Sequence, residues 1–138
     1  MKYILIFIVL SLTSLSAATK QEIVAATLIA EAGGEKAFGA MEAVNEVILN
    51  RAKSRNISTD KTVLQKDQFS CWNGKSIESV VSKAKKHPKW KVALSIVNSP
   101  KTNFVKGSDH YHTKDCNPKW NKNMAVVKVI GAHIFYRG

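Results

Sequence analysis

The composition of the chain changes near residue 100, and this change constrains the fold more than any other feature of the sequence. The first part is rich in Ala, Leu, Ile and Lys, whereas "TNFVKGSDHYHT" and "MAVVKVIGAHIFYRG" are richer in β-branched and aromatic residues. Apolar periodicity and capping residues predict helices over 20–32, 36–53, 59–65 and 76–86, and a further helix from Pro88 to about Asn98. We therefore predict a mainly helical α+β single domain with a small β portion near the C-terminus.

The N-terminal segment has the pattern of a secretory signal peptide. One Lys precedes an apolar run from Tyr3 to Leu10, and Ser16-Ala17-Ala18 fits the small-residue cleavage pattern. The run is too short for a bilayer span, which needs about 20 apolar residues. We therefore expect a signal peptide over residues 1–18, a mature domain over 19–138 without a membrane span, and a secreted or periplasmic location.

The formal net charge of +11 predicts an anionic partner. Cell-wall polymers, membrane surfaces, nucleic acids and acidic polysaccharides all fit this charge. Basic stretches such as "SKAKKHPKWK" contain few aromatic residues and no nucleic-acid-binding motif, so we expect no nucleic acid as a partner. Cys71 and Cys116 could pair in an oxidising compartment, but the sequence leaves their pairing open.

Glu31 is an acidic residue on the apolar face of a predicted helix. It follows Val24, Thr27 and Leu28 at helical spacing, and the two glycines after Ala32 end the helix. A carboxyl group that neighbouring side chains screen from water tends to stay protonated. Such a group could donate a proton to a leaving oxygen, as the general acid of glycoside cleavage does. On spacing alone, a solvated or ion-paired Glu at a frayed helix end is the alternative.

The segment "SDHYHTKDC" allows three interpretations. On a strand, His110 and His112 point to one face and Tyr111 points to the other. The two histidines and a third ligand could hold zinc, which would suit a zinc amidase or peptidase. The same side chains could instead form a wall that stacks on sugar rings, or they could be surface residues of an edge strand.

The segment "QFSCWNG" is similar to the nucleophile segment of papain-type proteases through its Ser-Cys-Trp sequence. That family has a Gly ahead of the Ser, where this chain has Phe69. We therefore favour a turn that carries a buried Trp and a structural Cys. Gln68, Trp72 and Asn73 are nevertheless residue types that suit sugar binding.

Five segments together resemble the spore-cortex-lytic type of cell wall hydrolases, a family with relatives in phages and Gram-negative bacteria. They occur in the family's order and are "LIAEAGGE", "GAMEAVNEVILNRAKS", "QFSCWN", "GSDHYHT" with "NPKW", and "VIGAHIFYRG". The resemblance implies a lysozyme-like fold and an enzyme that cleaves peptidoglycan between N-acetylmuramic acid and N-acetylglucosamine. It also implies that Glu31 is the catalytic acid.

The resemblance also implies a set of substrate-binding residues. Glu35 matches the second Glu of the "AEAGGE" motif, where the choice between a binding and a structural role stays open. The other residues expected to line the cleft are Gln68, Ser70, Trp72, His110, Tyr111 and His112. We expect no metal and no cofactor, and we expect a monomer that contacts peptidoglycan glycan strands and anionic cell-wall polymers.

The scarcity of acidic residues favours one mechanism. Glycoside hydrolases of the retaining and inverting types need a second carboxylate near the first, whereas a lytic transglycosylase needs only one. We therefore rank a lytic transglycosylase above a hydrolase, with Glu31 as both acid and base. Two alternatives from other classes remain, a zinc-dependent amidase or peptidase that uses His110 and His112, and a non-catalytic basic wall-binding protein.

Overall fold

A computed structural model describes residues 17–138, so most of the predicted signal peptide lies outside the described residues. The described chain contains five α-helices, two short 3-10 helices and a three-stranded sheet. The helices are α1 (Lys20–Ala32), α2 (Ala40–Arg55), α3 (Thr59–Leu64), α4 (Ile77–Lys85) and α5 (Trp90–Asn98), with 3-10 helices at Ser70–Trp72 and Lys119–Asn123. The strands are β1 (His110–Thr113), β2 (Ala125–Ile130) and β3 (His133–Arg137). The predicted mainly helical α+β class is confirmed. No described helix is long and apolar enough to cross a membrane.

Helix α1 has the predicted bounds and lies at the centre of the domain. A capping box starts it, since Thr19 Oγ1 accepts from the Glu22 backbone N–H at 3.1 Å and Glu22 Oε1 accepts from the Thr19 N–H at 2.9 Å. Six consecutive residues from Ile23 to Leu28 are buried, because the helix packs against α2, α3, α4 and α5. Its last turn, which carries Glu31, therefore emerges from the core of the protein.

Helix α2 begins at Ala40, four residues later than predicted. Gly39 precedes it with φ +83°, a left-handed conformation that ends any helix running from Lys36. A side chain at Gly39 would also collide with the Phe104 ring. Helix α5 likewise begins at Trp90 rather than at Pro88. By contrast, Ser76 caps α4 as predicted, with its side chain accepting from the Ser79 N–H at 3.2 Å.

The sheet is antiparallel in the order β1-β3-β2. Tyr111 pairs with Phe135 and His112 pairs with Ile134, while a register shift between Val126 and Lys128 bends β2. Only the last part of the predicted β segment "TNFVKGSDHYHT" is a strand. Residues 101–109 form no helix or strand, because their backbone is hydrogen-bonded to side chains of α2 instead of to a neighbouring strand. The central strand is the buried one, and Phe135 is 0 % exposed.

Helix α2 fixes the irregular segment that leads into β1. Glu46, which is only 2 % exposed, accepts hydrogen bonds at Oε2 from the backbone N–H groups of Phe104 (3.0 Å) and Val105 (2.8 Å). One turn later, Asn50 Nδ2 donates to Ser108 O at 2.8 Å and Arg51 Nε donates to Asp109 O at 2.7 Å. These bonds place β1, and therefore Tyr111, against the end of α1.

Candidate active site

Glu31 and Tyr111 form the centre of the site. They are 80 positions apart in sequence, yet the Tyr111 hydroxyl donates to Glu31 Oε2 at 2.6 Å. Glu31 is half-buried in the last turn of α1. Among residues 17–138 no hydrogen-bond donor contacts its other oxygen, Oε1.

The Tyr111 ring is held on both sides. It lies 5.4 Å from the Phe135 ring and meets the His133 ring edge-on at 5.3 Å. Burial raises the pKa of Tyr111 well above its usual range, and the neighbouring Glu31 charge and their hydrogen bond act in the same direction. Tyr111 therefore remains a neutral hydroxyl that donates to the Glu31 carboxyl group.

Arg51 supplies positive charge to this cluster. Burial is the main cause that lowers its pKa, and its electrostatic interactions with Tyr111, Asp109 and Glu31 act against that effect. Its side chain also lies over the Phe69 ring, with 5.5 Å between the guanidinium carbon and the ring centroid. Arg51 belongs to the segment "GAMEAVNEVILNRAKS" of the family resemblance, but no signal in the sequence indicates that it lies near Glu31.

Cys71 lies near Glu31 as well, and it is a free thiol, as is Cys116. Burial raises the pKa of Cys71 to about 11, and the negative charge of Glu31 contributes second. A thiol with this pKa is almost entirely protonated near neutral pH, and therefore a poor nucleophile. This agrees with the prediction that Cys71 is a structural residue rather than a papain-type nucleophile.

Trp72 lies on the same side of α1 as Glu31. Its Nε1 donates to Thr27 Oγ1 at 3.1 Å, and Thr27 is one helical turn before Glu31. Ser70 is exposed on the 3-10 helix that carries Trp72. Gln68 accepts from Arg55 Nη2 at 2.9 Å, so its side chain is already held by α2.

His110 and His112 do not join this cluster. They lie on the opposite face of β1 from Tyr111, as strand alternation predicts. The rings of His112 and Tyr136 stack with 5.2 Å between their centroids, and His112 Nε2 is hydrogen-bonded to the Tyr136 hydroxyl at 2.8 Å. The His110 ring packs against the Trp120 ring with 5.1 Å between their centroids. Their predicted role in substrate binding stays a prediction, on a face of the sheet that Glu31 does not share.

The predicted zinc alternative finds no supporting geometry in the described residues. Across residues 17–138 no group of three or more His, Cys, Asp or Glu side chains is arranged to hold a metal ion. Both ring nitrogens of His112 already have partners, namely Thr113 O at 2.7 Å and the Tyr136 hydroxyl at 2.8 Å.

Glu35 contacts the turn between β2 and β3. Its Oε2 accepts from the Ala132 N–H at 3.3 Å, and its backbone carbonyl accepts from Lys89 Nζ at 2.7 Å. Gly131 at this turn has φ +55°, and any side chain there would collide with the Glu35 carboxylate. These contacts give Glu35 a role in joining the α1–α2 connection to the sheet.

The Tyr111–Glu31 contact leads to a first prediction. Tyr111→Phe keeps the ring between Phe135 and His133 but removes the donor to Glu31. A hydrogen bond to a charged group contributes about 1.5–3 kcal/mol, so we expect kcat to fall about 10- to 100-fold on peptidoglycan, the substrate that the family resemblance implies. Release of soluble fragments from purified peptidoglycan measures this. In the control Tyr136→Phe, the lost hydroxyl instead bonds His112 on the other face of the sheet, so any loss should appear in KM rather than in kcat. An equal fall of kcat in both variants would contradict a special role for Tyr111.

Comparison with known proteins identifies the family of the chain. The cell wall hydrolase family profile matches residues 34–136, a range that starts three residues after Glu31. The chain belongs to the cell wall hydrolase family. Among curated protein sequences, none matches it.

Two solved structures share the fold. The catalytic domain of the germination-specific lytic transglycosylase SleB from Bacillus anthracis is 19% identical with a TM-score of 0.66, and the match covers 90% of this chain and 98% of that domain. The catalytic domain of SleB from Bacillus cereus is 22% identical with a TM-score of 0.58, covering 88% of this chain and 94% of that domain. The predicted membership of the cell wall hydrolase family and the predicted fold are thus confirmed.

Proposed function

We propose that this cell wall hydrolase cleaves the peptidoglycan glycan strand between N-acetylmuramic acid and N-acetylglucosamine as a lytic transglycosylase, with Glu31 as general acid and base. The observation that carries the proposal is the Tyr111–Glu31 hydrogen bond of 2.6 Å, which orients a half-buried carboxyl group and leaves its Oε1 for substrate. The Bacillus anthracis SleB domain is described as a lytic transglycosylase, and it supports the proposal because this chain shares its fold. The Bacillus cereus SleB domain has the same fold.

The surroundings of Glu31 support a mechanism with one carboxylate. A retaining hydrolase places its second carboxylate about 5–5.5 Å from the first, and an inverting one about 6.5–9.5 Å away. Glu35 and Glu46 instead accept hydrogen bonds from backbone amides of the fold. Asp109, the other carboxylate whose charge acts on Arg51, is also engaged, since its Oδ1 is hydrogen-bonded to His110 Nδ1 at 2.9 Å and accepts from the Gly138 N–H at 3.2 Å.

The proposed reaction proceeds in two proton transfers. Glu31 gives its proton to the glycosidic oxygen as the bond from that oxygen to the muramyl C1 breaks, and positive charge develops at C1. The resulting Glu31 carboxylate then takes the proton of the muramyl 6-hydroxyl while O6 attacks C1. The product has a 1,6-anhydro end, and no water is consumed. Tyr111 holds the carboxyl group, and the positive charge of Arg51 stabilises the carboxylate between the two transfers.

Mass spectrometry of the digestion products tests this proposal. Reactions run in water enriched in oxygen-18 should give anhydro-muramyl ends without the heavy isotope. Labelled reducing ends would indicate a hydrolase, and free stem peptides would indicate an amidase. Activity that is lost with a chelator and restored by zinc would favour the metal-dependent alternative over Glu31.

We also propose a cellular location for this activity. Members of the family act on the cell wall, and we place this protein there as a secreted or periplasmic monomer after removal of residues 1–18. The net charge, which is +11 for the full chain and about +10 without Lys2, would hold it near anionic wall polymers. The N-terminal residue of the mature protein, expected to be Thr19, can be read by mass spectrometry of the exported form.

A further inference from the structure

A groove of about 710 Å³ runs beside the end of α1, between this helix, the 3-10 helix at Ser70–Trp72 and α4. We call it the lysine groove, because Lys75, Lys83 and Lys86 line it and no acidic residue does. Its floor is apolar and includes Ile29 and Val80. The groove thus combines positive charge at its rim with an apolar surface at its base.

The three lysines have no ion-pair partner among residues 17–138. Lys85, which lies between Lys83 and Lys86 in sequence, is by contrast bound to Glu22 at 2.5 Å and does not line the groove. Like charges that share one surface repel each other, and an anionic ligand relieves that repulsion. The arrangement is therefore complementary to a ligand that carries several carboxylates.

The groove adjoins the proposed catalytic centre. Ala30 and Cys71 line it, and Ala30 precedes Glu31 in the chain while the charge of Glu31 acts on the Cys71 thiol. A ligand in the groove therefore lies next to the sugar that Glu31 would protonate. An anionic partner that is part of the same substrate fits this position better than a separate polymer does.

We infer that the lysine groove binds the peptide stem of the muramyl residue at the cleavage site. The inference rests on the proposed function, because it takes the glycan strand as the substrate. A stem peptide is attached to the muramyl ring through its lactyl group, carries free carboxylates and has small apolar side chains. The carboxylates match the three lysines, and the apolar side chains match the surface formed by Ile29 and Val80.

Binding measurements with soluble, uncross-linked glycan strands test the inference. One preparation carries its stem peptides, and the other has lost them to an amidase but keeps a lactyl carboxylate on each muramyl ring. Because each exposed ion pair contributes only modestly to binding, the loss of all three in the variant K75Q/K83Q/K86Q should weaken binding of peptide-bearing strands about tenfold. The control variant K61Q/K106Q/K128Q removes the same charge from exposed sites elsewhere and should weaken binding of both preparations by the same small factor. For the peptide-free strands, K75Q/K83Q/K86Q should bind as tightly as this control.

Two outcomes would overturn the inference. They are an unchanged affinity of K75Q/K83Q/K86Q for peptide-bearing strands, and an equal loss of affinity for both preparations. Cleavage of the same strands is scored separately. Peptide-dependent binding without cleavage by the wild type would count against the proposed reaction alone, whereas cleavage without peptide dependence would count against the lysine groove alone.

Discussion

Glu31→Gln is expected to lower kcat on peptidoglycan by about 10³-fold, within the range that general acid–base catalysis contributes. The amide has nearly the shape of the carboxyl group and can still accept the Tyr111 hydrogen bond, which is 2.6 Å long in the wild type. It has no acidic proton for the glycosidic oxygen and cannot take the proton of the 6-hydroxyl. The affinity for glycan strands should change little. Fragment release and strand binding, measured side by side, separate these two effects.

Glu42→Gln is the matched control for this substitution. Glu42 is also half-buried, but it lies in the first turn of α2 rather than in the α1 turn that contacts Tyr111. Its activity should remain within about twofold of the wild type, as for a surface substitution away from the site. If Glu31→Gln retained wild-type fragment release, another group would have to be the acid and the proposed mechanism would be wrong.

Glu46→Ala is expected to lower the free energy of unfolding by about 3 kcal/mol or more. The substitution leaves the buried N–H groups of Phe104 and Val105 without their acceptor, and an unsatisfied buried group costs about 1–3 kcal/mol. It also leaves a cavity beside fully buried neighbours such as Val105. Thermal and urea unfolding followed by circular dichroism measure the change, which should lower Tm by about 10 °C.

Glu42→Ala, on the same helix, should change the unfolding free energy by only about 0.5 kcal/mol. Glu46→Ala should also reduce activity, because the segment it holds leads into β1 and positions Tyr111. A Glu46→Ala protein as stable as Glu42→Ala would show that its two backbone hydrogen bonds contribute little to folding.

Local features of the sequence were sufficient for much of the helical framework. The capping box of Thr19 and Glu22 and the side-chain cap of Ser76 are contacts within one helical turn, so sequence spacing predicts them. The predicted start of α2 at Lys36 is wrong, because the apolar pattern continues through 36–39 while the helical backbone begins only at Ala40. Gly39 is left-handed there and packs against Phe104, which lies far along the chain.

The candidate site likewise combines features that local spacing predicts with contacts that depend on the whole fold. Helical spacing alone identified Glu31 as a carboxyl group at the end of a buried helix, and strand alternation separated Tyr111 from His110 and His112. Which face of β1 meets Glu31 depends on contacts across the fold: the pairing of Tyr111 with Phe135 and the bonds from α2 to Ser108 and Asp109. Spacing within a helix or strand is set by local backbone geometry, which the sequence determines by itself. The Tyr111–Glu31 contact was decided only by tertiary packing, because it joins residues 80 positions apart through elements that must first fold against one another.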